Sequence, residues 1–165
     1  MMKISQSELK SRLSQVKLLA LDVDGVLTDG GLYYTESGEE LKKFNVKDGM
    51  GIKLLMQLGI EIAIISASSS MATRHRAKKL GIVHCFLGIE DKLSTLKQLC
   101  QKLNITLSQV AYMGDDINDL PVLKSVGCPL TVADAVESNR EQAIYVTHKG
   151  GGKGAVREIT NLLNL

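Results

Sequence analysis

At 165 residues the chain has the length of one α/β domain, enough to bury roughly two thirds of the surface its unfolded form exposes. With 44% hydrophobic and 23% charged residues, no Trp and a net charge of +2, it excludes low-complexity disorder and lacks the basic excess and aromatic platform of a nucleic-acid binder. Its longest apolar runs are strand-sized, far below the roughly twenty residues of a membrane span. The basic stretch Arg74 to Lys79 reads as a solvated helix face in preference to a dedicated anion patch. Cys85, Cys100 and Cys128 are odd in number and lack C-x-x-C spacing, which fits packing roles in a reducing compartment. His75, His84 and His148 show no metal-ligand spacing. Met1 to Lys10 is polar, without the apolar core of a signal peptide. A cytoplasmic protein with neither nucleic-acid nor membrane partners is expected.

Along the chain, an amphipathic helix is expected over Gln6 to Ser14 and a first strand over Lys17 to Leu21. Two alternating runs, Leu32 to Thr35 and Glu40 to Val46, flank Glu36-Ser37-Gly38 and predict a β-hairpin. Asp48 is the expected N-cap of a helix through Leu58, with Gly59 as its stop. Ile60 to Ile65 reads as a core strand, followed by a helix to Leu80 that Gly81 ends. A short strand at His84 to Leu87 and a helix from Asp91 to Leu103 precede the strand that carries Met113. A short helix near Leu120 to Ser125, strands at Cys128 to Val132 and Ala143 to Val146, and a helix from Ala155 to Leu163 complete the pattern. Strands alternating with helices predict a doubly wound, mostly parallel α/β sheet with helices on both faces. The hairpin is its small insertion, and nothing in the chain is large enough to be a cap. The whole chain, 1–165, is expected to be a single domain with the insertion at about 30–46.

Two acidic motifs stand at strand ends. Asp22-Val23-Asp24-Gly25 closes the first strand, and Gly114-Asp115-Asp116-Ile117-Asn118-Asp119 follows the strand of Met113. Carboxylates at the ends of two parallel strands can share one Mg²⁺, a hard cation that takes few carboxylates plus waters and phosphate oxygens. A carboxylate attacking phosphorus needs such a cation, because two anions otherwise repel. Asp22 is then the candidate nucleophile and Asp24 a candidate proton donor, with Asp22, Asp115 and one backbone carbonyl as metal ligands. Asp115, Asp116 and Asp119 can instead cap the next helix. Ser66, at the end of a strand, can donate to a phosphoryl oxygen or simply cap. Lys92 opens a helix, where a cation is unfavourable unless an anion lies nearby. The run Gly150-Gly151-Gly152-Lys153-Gly154 fails the P-loop spacing and reads as a flexible loop entering the last helix.

The ordered set Asp22-x-Asp24, Ser66, Lys92 and Gly114-Asp115-Asp116-x-x-Asp119 resembles the four motifs of haloacid-dehalogenase-like phosphatases. Asp22 to Asp29, Gly38 to Lys42, Phe44 to Gly49, Arg76 to Ile82 and Gly151 to Glu158 are further similar to the 3-deoxy-D-manno-octulosonate 8-phosphate phosphatase family, over nearly the whole chain. That resemblance implies an aspartyl-phosphate on Asp22, with Asp24 as acid and then base and its carbonyl on Mg²⁺. It implies Asp115 as metal ligand, Ser66 and Lys92 on the phosphate, and Asp116 and Asp119 supporting the metal ligands from behind. It puts substrate contacts at Asp24, Asn45, Val46, Lys47, Asp48, Gly49, Lys53 and Arg76. It also implies a sugar-acid phosphate substrate, a role in lipopolysaccharide sugar synthesis, and a homotetramer in which the hairpins associate and close the crevice. One departure stands out: Ser66 is followed by Ala67-Ser68, where the family has Gly-Arg. A guanidinium lost there removes a bidentate grip that Ser cannot replace. Arg74 or Arg76 could reach in instead, the substrate could be a nine-carbon sugar-acid 9-phosphate, or the chain could bind such a ligand with weakened catalysis. A receiver-type signalling domain is set aside, since its acids and Lys come in a different order.

Overall fold

The computed structural model describes residues 4–163. Four consecutive apolar side chains are satisfied only where both faces of a sheet are covered, and β1 (Leu18–Leu21) is such a strand, fully buried. β4 (Glu61–Ser66), β5 (His84–Leu87), β6 (Val110–Met113), β7 (Cys128–Thr131) and β8 (Tyr145–Val146) join it in one six-stranded sheet of order β5-β4-β1-β6-β7-β8. Every pairing in that sheet is parallel. The chain runs outward from β1 through β4 to β5, then returns to lay β6 on the other side of β1. That reversal makes the C-terminal ends of β1 and β6 the switch point of the sheet, where parallel α/β folds open a crevice.

Side chains of one strand alternate between the two faces. Leu19, Leu21, Ile62, Ile64 and Met113 pack with α1 (Gln6–Ser14), α2 (Val46–Gln57) and α7 (Ala155–Leu163), together with Ala77 and Leu80 of α3 (Met71–Leu80). Leu18, Ala20, Ala63, Ile65 and Tyr112 pack with α4 (Lys92–Leu103) and α5 (Leu120–Leu123). The doubly wound architecture expected from the alternating pattern is what forms. One six-residue helix, α6 (Glu137–Gln142), lies where none was expected. Its sequence is polar throughout and carries no helical apolar period. Buried Asn139 anchors it by donating to the Asp116 carbonyl.

The hairpin consists of β2 (Tyr33–Tyr34) and β3 (Glu40–Leu41), paired antiparallel. The second arm, expected to run to Val46, leaves the ladder after Leu41. It does so because Lys42 turns its side chain inward and Phe44 packs on the core. The cap of α2 is also displaced from expectation. Asn45, not Asp48, is the N-cap, its side chain accepting from Lys47 N–H. Asp48 lies inside the first turn, 1% exposed, and its carboxylate accepts from Gly154 N–H and Arg157 N–H at the start of α7.

The glycine run before α7 is packed, contrary to the flexible loop expected of it. Gly152 N–H donates to the Val26 carbonyl and Gly151 N–H to Asp134. A Cβ on Gly151 would stand 1.9 Å from the Gly25 carbonyl oxygen. The absence of side chains there lets the run press against the turn that follows β1.

Candidate active site

Register brings the two acidic motifs to one edge. Leu21 is level with Met113 on one side and with Ile64 on the other. Just beyond that level Asp22 leaves β1, Gly114 and Asp115 leave β6, and Ser66, two residues past Ile64, ends β4. Gly25 holds a left-handed φ of +84° in the turn after β1, and a Cβ there would lie 1.9 Å from Asp115 Oδ2. Glycine at this point is what lets the Asp115 carboxylate close on the first motif.

Asp22, 5% exposed, accepts from Val23 N–H at 2.7 Å through Oδ1 and from Lys92 Nζ at 2.9 Å through Oδ2. Lys92 also reaches Asp119 Oδ1 at 2.7 Å. Asp119 is fully committed: Tyr112 OH donates to it at 2.6 Å, and Asp115 N–H and Asp116 N–H donate to its other oxygen. A carboxylate so bonded is a frame for the loop. Asp116 is exposed and caps the short turn Ile117–Asp119 by accepting from Ile117 N–H. Asp115 Oδ1, in contrast, is buried without a hydrogen-bond partner.

Asp22, Asp115 and Asp119 converge, with one oxygen of each lying within 4.8 Å of the others. Lys92 supplies one positive charge against these three carboxylates. Burial, then Asp119, drives the Asp22 carboxyl above its ordinary range against the opposing pull of Lys92. Burial first, then Asp22, Asp119 and Asp116, pushes Asp115 up to about 7. Burial pulls Lys92 down, yet Asp22 and Asp119 outweigh it and hold the ammonium above its usual range. Excess negative charge, an unpartnered buried carboxylate oxygen and an all-oxygen donor set together fit a divalent hard cation such as Mg²⁺. Asp22 and Asp115 offer the oxygens for it.

The other expected residues fall into two places. Ser66 is buried at the strand end, where its Oγ accepts from Ser68 N–H while its hydroxyl proton remains to be given. Asp24 sits two residues beyond Asp22, its carboxylate held by Lys42. Asn45, Val46, Lys47, Asp48, Gly49, Lys53 and Arg76 gather instead around the first turns of α2. There Asn45 Nδ2 donates to the Gly152 carbonyl, which ties this group to the glycine run beside Gly25. Arg76 donates to the Asn45 carbonyl at 3.1 Å and lies over the Phe44 ring, while Lys53 and Lys79 line a small cavity beside it. A Cβ on Gly49 would meet Arg76 Nη2 at 2.3 Å. Val46 is 80% exposed and free to meet another molecule, whereas the Asp48 carboxylate is spent on α7. Arg74 lies toward Cys85, whose thiol burial pushes up and Arg74 pulls down. Neither arginine donates to Ser66 or Asp24 among the hydrogen bonds of the described residues.

Two participants escaped the sequence reading. Tyr112 looked like one more apolar strand residue, and its hydroxyl locks Asp119. Lys42 reads only as part of the second hairpin arm, with no role of its own, yet its side chain is 2% exposed.

Fold and acid cluster together define a haloacid dehalogenase-like hydrolase, and the model of the haloacid dehalogenase-like hydrolase family matches residues 88–159. The 3-deoxy-D-manno-octulosonate 8-phosphate phosphatase KdsC of Salmonella typhi is 46% identical over 155 residues, 94% of this chain and 82% of the relative. The crystal structure of the Moraxella catarrhalis 3-deoxy-D-manno-octulosonate 8-phosphate phosphatase holds magnesium, phosphate and KDO. It superposes with a TM-score of 0.94 at 43% identity, covering 96% of this chain and 91% of that one. The cobalt-bound enzyme of Haemophilus influenzae gives a TM-score of 0.89 at 41% identity, covering 92% and 89% of the two chains. The chain belongs to the 3-deoxy-D-manno-octulosonate 8-phosphate phosphatase family.

Proposed function

We propose that this protein hydrolyses 3-deoxy-D-manno-octulosonate 8-phosphate to the free sugar acid and phosphate, with Mg²⁺ as cofactor, in lipopolysaccharide sugar synthesis. The observation that carries this reading is the convergence of Asp22 and Asp115 at the switch point, with the Lys92 ammonium on Asp22. When bound, Mg²⁺ supplies charge neutralisation for an anionic nucleophile meeting an anionic phosphate. Asp22, Asp115 and the Asp24 carbonyl would hold it.

The chain's own groups then divide the work. Asp22 attacks phosphorus and carries the phosphoryl group. Lys92 and Ser66 hold its oxygens, while Asp119 and Tyr112 keep Lys92 and the 114–116 loop in place. Asp24 gives a proton to the departing sugar oxygen and takes one from the water that follows. Asn45 to Gly49, Lys53 and Arg76 are read as the sugar-acid side of the site. Within that set Asp48 acts by holding the glycine run and α7, since its carboxylate is already bonded there.

The same reading includes a single domain over 1–165, a homotetramer and a cytoplasmic location. Exposed Leu32, Tyr33, Tyr34 and Leu41 on the hairpin support association through it. Three free thiols, Cys85, Cys100 and Cys128, support a reducing compartment. The Ala67-Ser68 pair keeps one second reading in play, a nine-carbon sugar-acid 9-phosphate. Phosphate release from the two sugar phosphates, measured side by side with Mg²⁺, tests the choice. A higher kcat/KM on the eight-carbon ester is expected, and preference for the nine-carbon ester would reassign the substrate.

A further inference from the structure

The hairpin delivers one buried cation to the acidic motif. Lys42 is the first residue after β3, and its ammonium lies on Asp24 Oδ1 and 2.8 Å from Glu40 Oε1. Its side chain is 2% exposed, although Leu32, Tyr33, Tyr34 and Leu41 of the same insertion stand in solvent. Burying an ammonium costs several kcal/mol unless carboxylates hold it, so this contact is a built one. Glu40 answers the same ammonium, and Lys42 above all holds its carboxyl below the usual range. One ammonium thus joins Asp24 to the hairpin.

The Asp24 side chain is 35% exposed, and Lys42 is the partner that holds it among the described residues. A proton donor must be placed within hydrogen-bond reach of the leaving oxygen, and a misplacement of about 1 Å can cost 10²-fold in rate. We propose that Lys42 is a positioning residue for this reaction, fixing the Asp24 carboxyl in the orientation from which it serves the leaving oxygen and then the attacking water.

The inference rests on the phosphatase reading. In the first step the bond from Asp22 to phosphorus forms, the bond from phosphorus to the sugar oxygen breaks, and that oxygen takes the Asp24 proton. In the second, water attacks phosphorus, returns a proton to Asp24 and displaces Asp22. Lys42 stays an ammonium throughout and acts only through Asp24.

The test compares kcat/KM of the wild type, Lys42→Met, Lys42→Arg, Asp24→Asn and the Asp24→Asn/Lys42→Met double variant with Mg²⁺. Two esters are used: the eight-carbon sugar phosphate, whose alkoxide needs a proton to leave, and p-nitrophenyl phosphate, whose phenolate does not. Lys42→Met is expected to lose about 10- to 100-fold on the sugar phosphate and less than about 3-fold on the aryl ester. Lys42→Arg should recover most of the loss, and the double variant should be no worse than Asp24→Asn alone. If Lys42→Met does not fold, Glu40→Gln, which removes the other anchor of the ammonium, should give the same ester-selective loss at smaller size. Equal losses on both esters, losses that multiply in the double variant, or no loss on the sugar phosphate would overturn the proposal. A wild type that turns over neither ester fails the phosphatase reading, and the proposal with it.

Discussion

Asp115 has one buried oxygen without a hydrogen-bond partner among the described residues, and its carboxyl is one of two whose protonation couples stability to pH. Its carboxyl titrates near 7 in the metal-free protein, against an ordinary 3.8, because burial and the neighbouring acids oppose its charge; Asp22 is raised in the same way. A folded-state pKa above the unfolded value means the native state binds more protons between the two. Stability of the metal-free protein therefore falls as pH rises from about 4 to about 7 through these groups. A cation relieves that repulsion only when the carboxyls are ionised, so the rise in Tm on adding Mg²⁺ should grow between pH 5.5 and 8, and binding should release protons. Melting curves with Mg²⁺ and with EDTA across that range check it, together with calorimetry in buffers of different ionisation heat. Asp115→Asn should remove the Asp115 share of the pH dependence, leaving that of Asp22, and weaken Mg²⁺ at least about tenfold, since it deletes a ligand charge.

Among the elements, α7 is held by a residue of α2. Asp48 offers its carboxylate to two backbone N–H groups at the start of α7, where a helix leaves donors unsatisfied and its dipole favours negative charge. Asp48→Ala should cost about 1–3 kcal/mol, read as a lowered urea midpoint at unchanged m-value. The sequence marked Asp48 as the cap of its own helix, because capping is judged locally and its true partners are more than a hundred residues away. The same limit explains the other misses. The strands and the acids at their ends were legible, since an apolar run followed by carboxylates is a local pattern. Lys42 and Tyr112 were not, because what makes them matter is a contact with Asp24 or Asp119 that composition and period do not encode. The glycine run looked mobile for a related reason: small residues mark a close approach as readily as a flexible loop, and only the turn after β1 decides which.

At the scale of the whole molecule, the parallel sheet brings the acids to one crevice, and the proposed association is assigned to the hairpin. The hairpin carries Lys42 inward and an apolar face outward, so the proposed association and the proposed role of Lys42 fall on one insertion. A Tyr34→Glu/Leu41→Glu variant should run as smaller species than the wild type in light scattering, with reduced turnover of the sugar phosphate at matched chain concentration. The central claim, that Asp22 accepts the phosphoryl group beside a shared cation, is tested most directly by Mg²⁺-dependent phosphate release from 3-deoxy-D-manno-octulosonate 8-phosphate in wild type and Asp22→Asn. The account predicts release by the wild type, none on metal removal, and a loss of at least about 10³-fold in a folded Asp22→Asn protein. Release that survives in Asp22→Asn would contradict it.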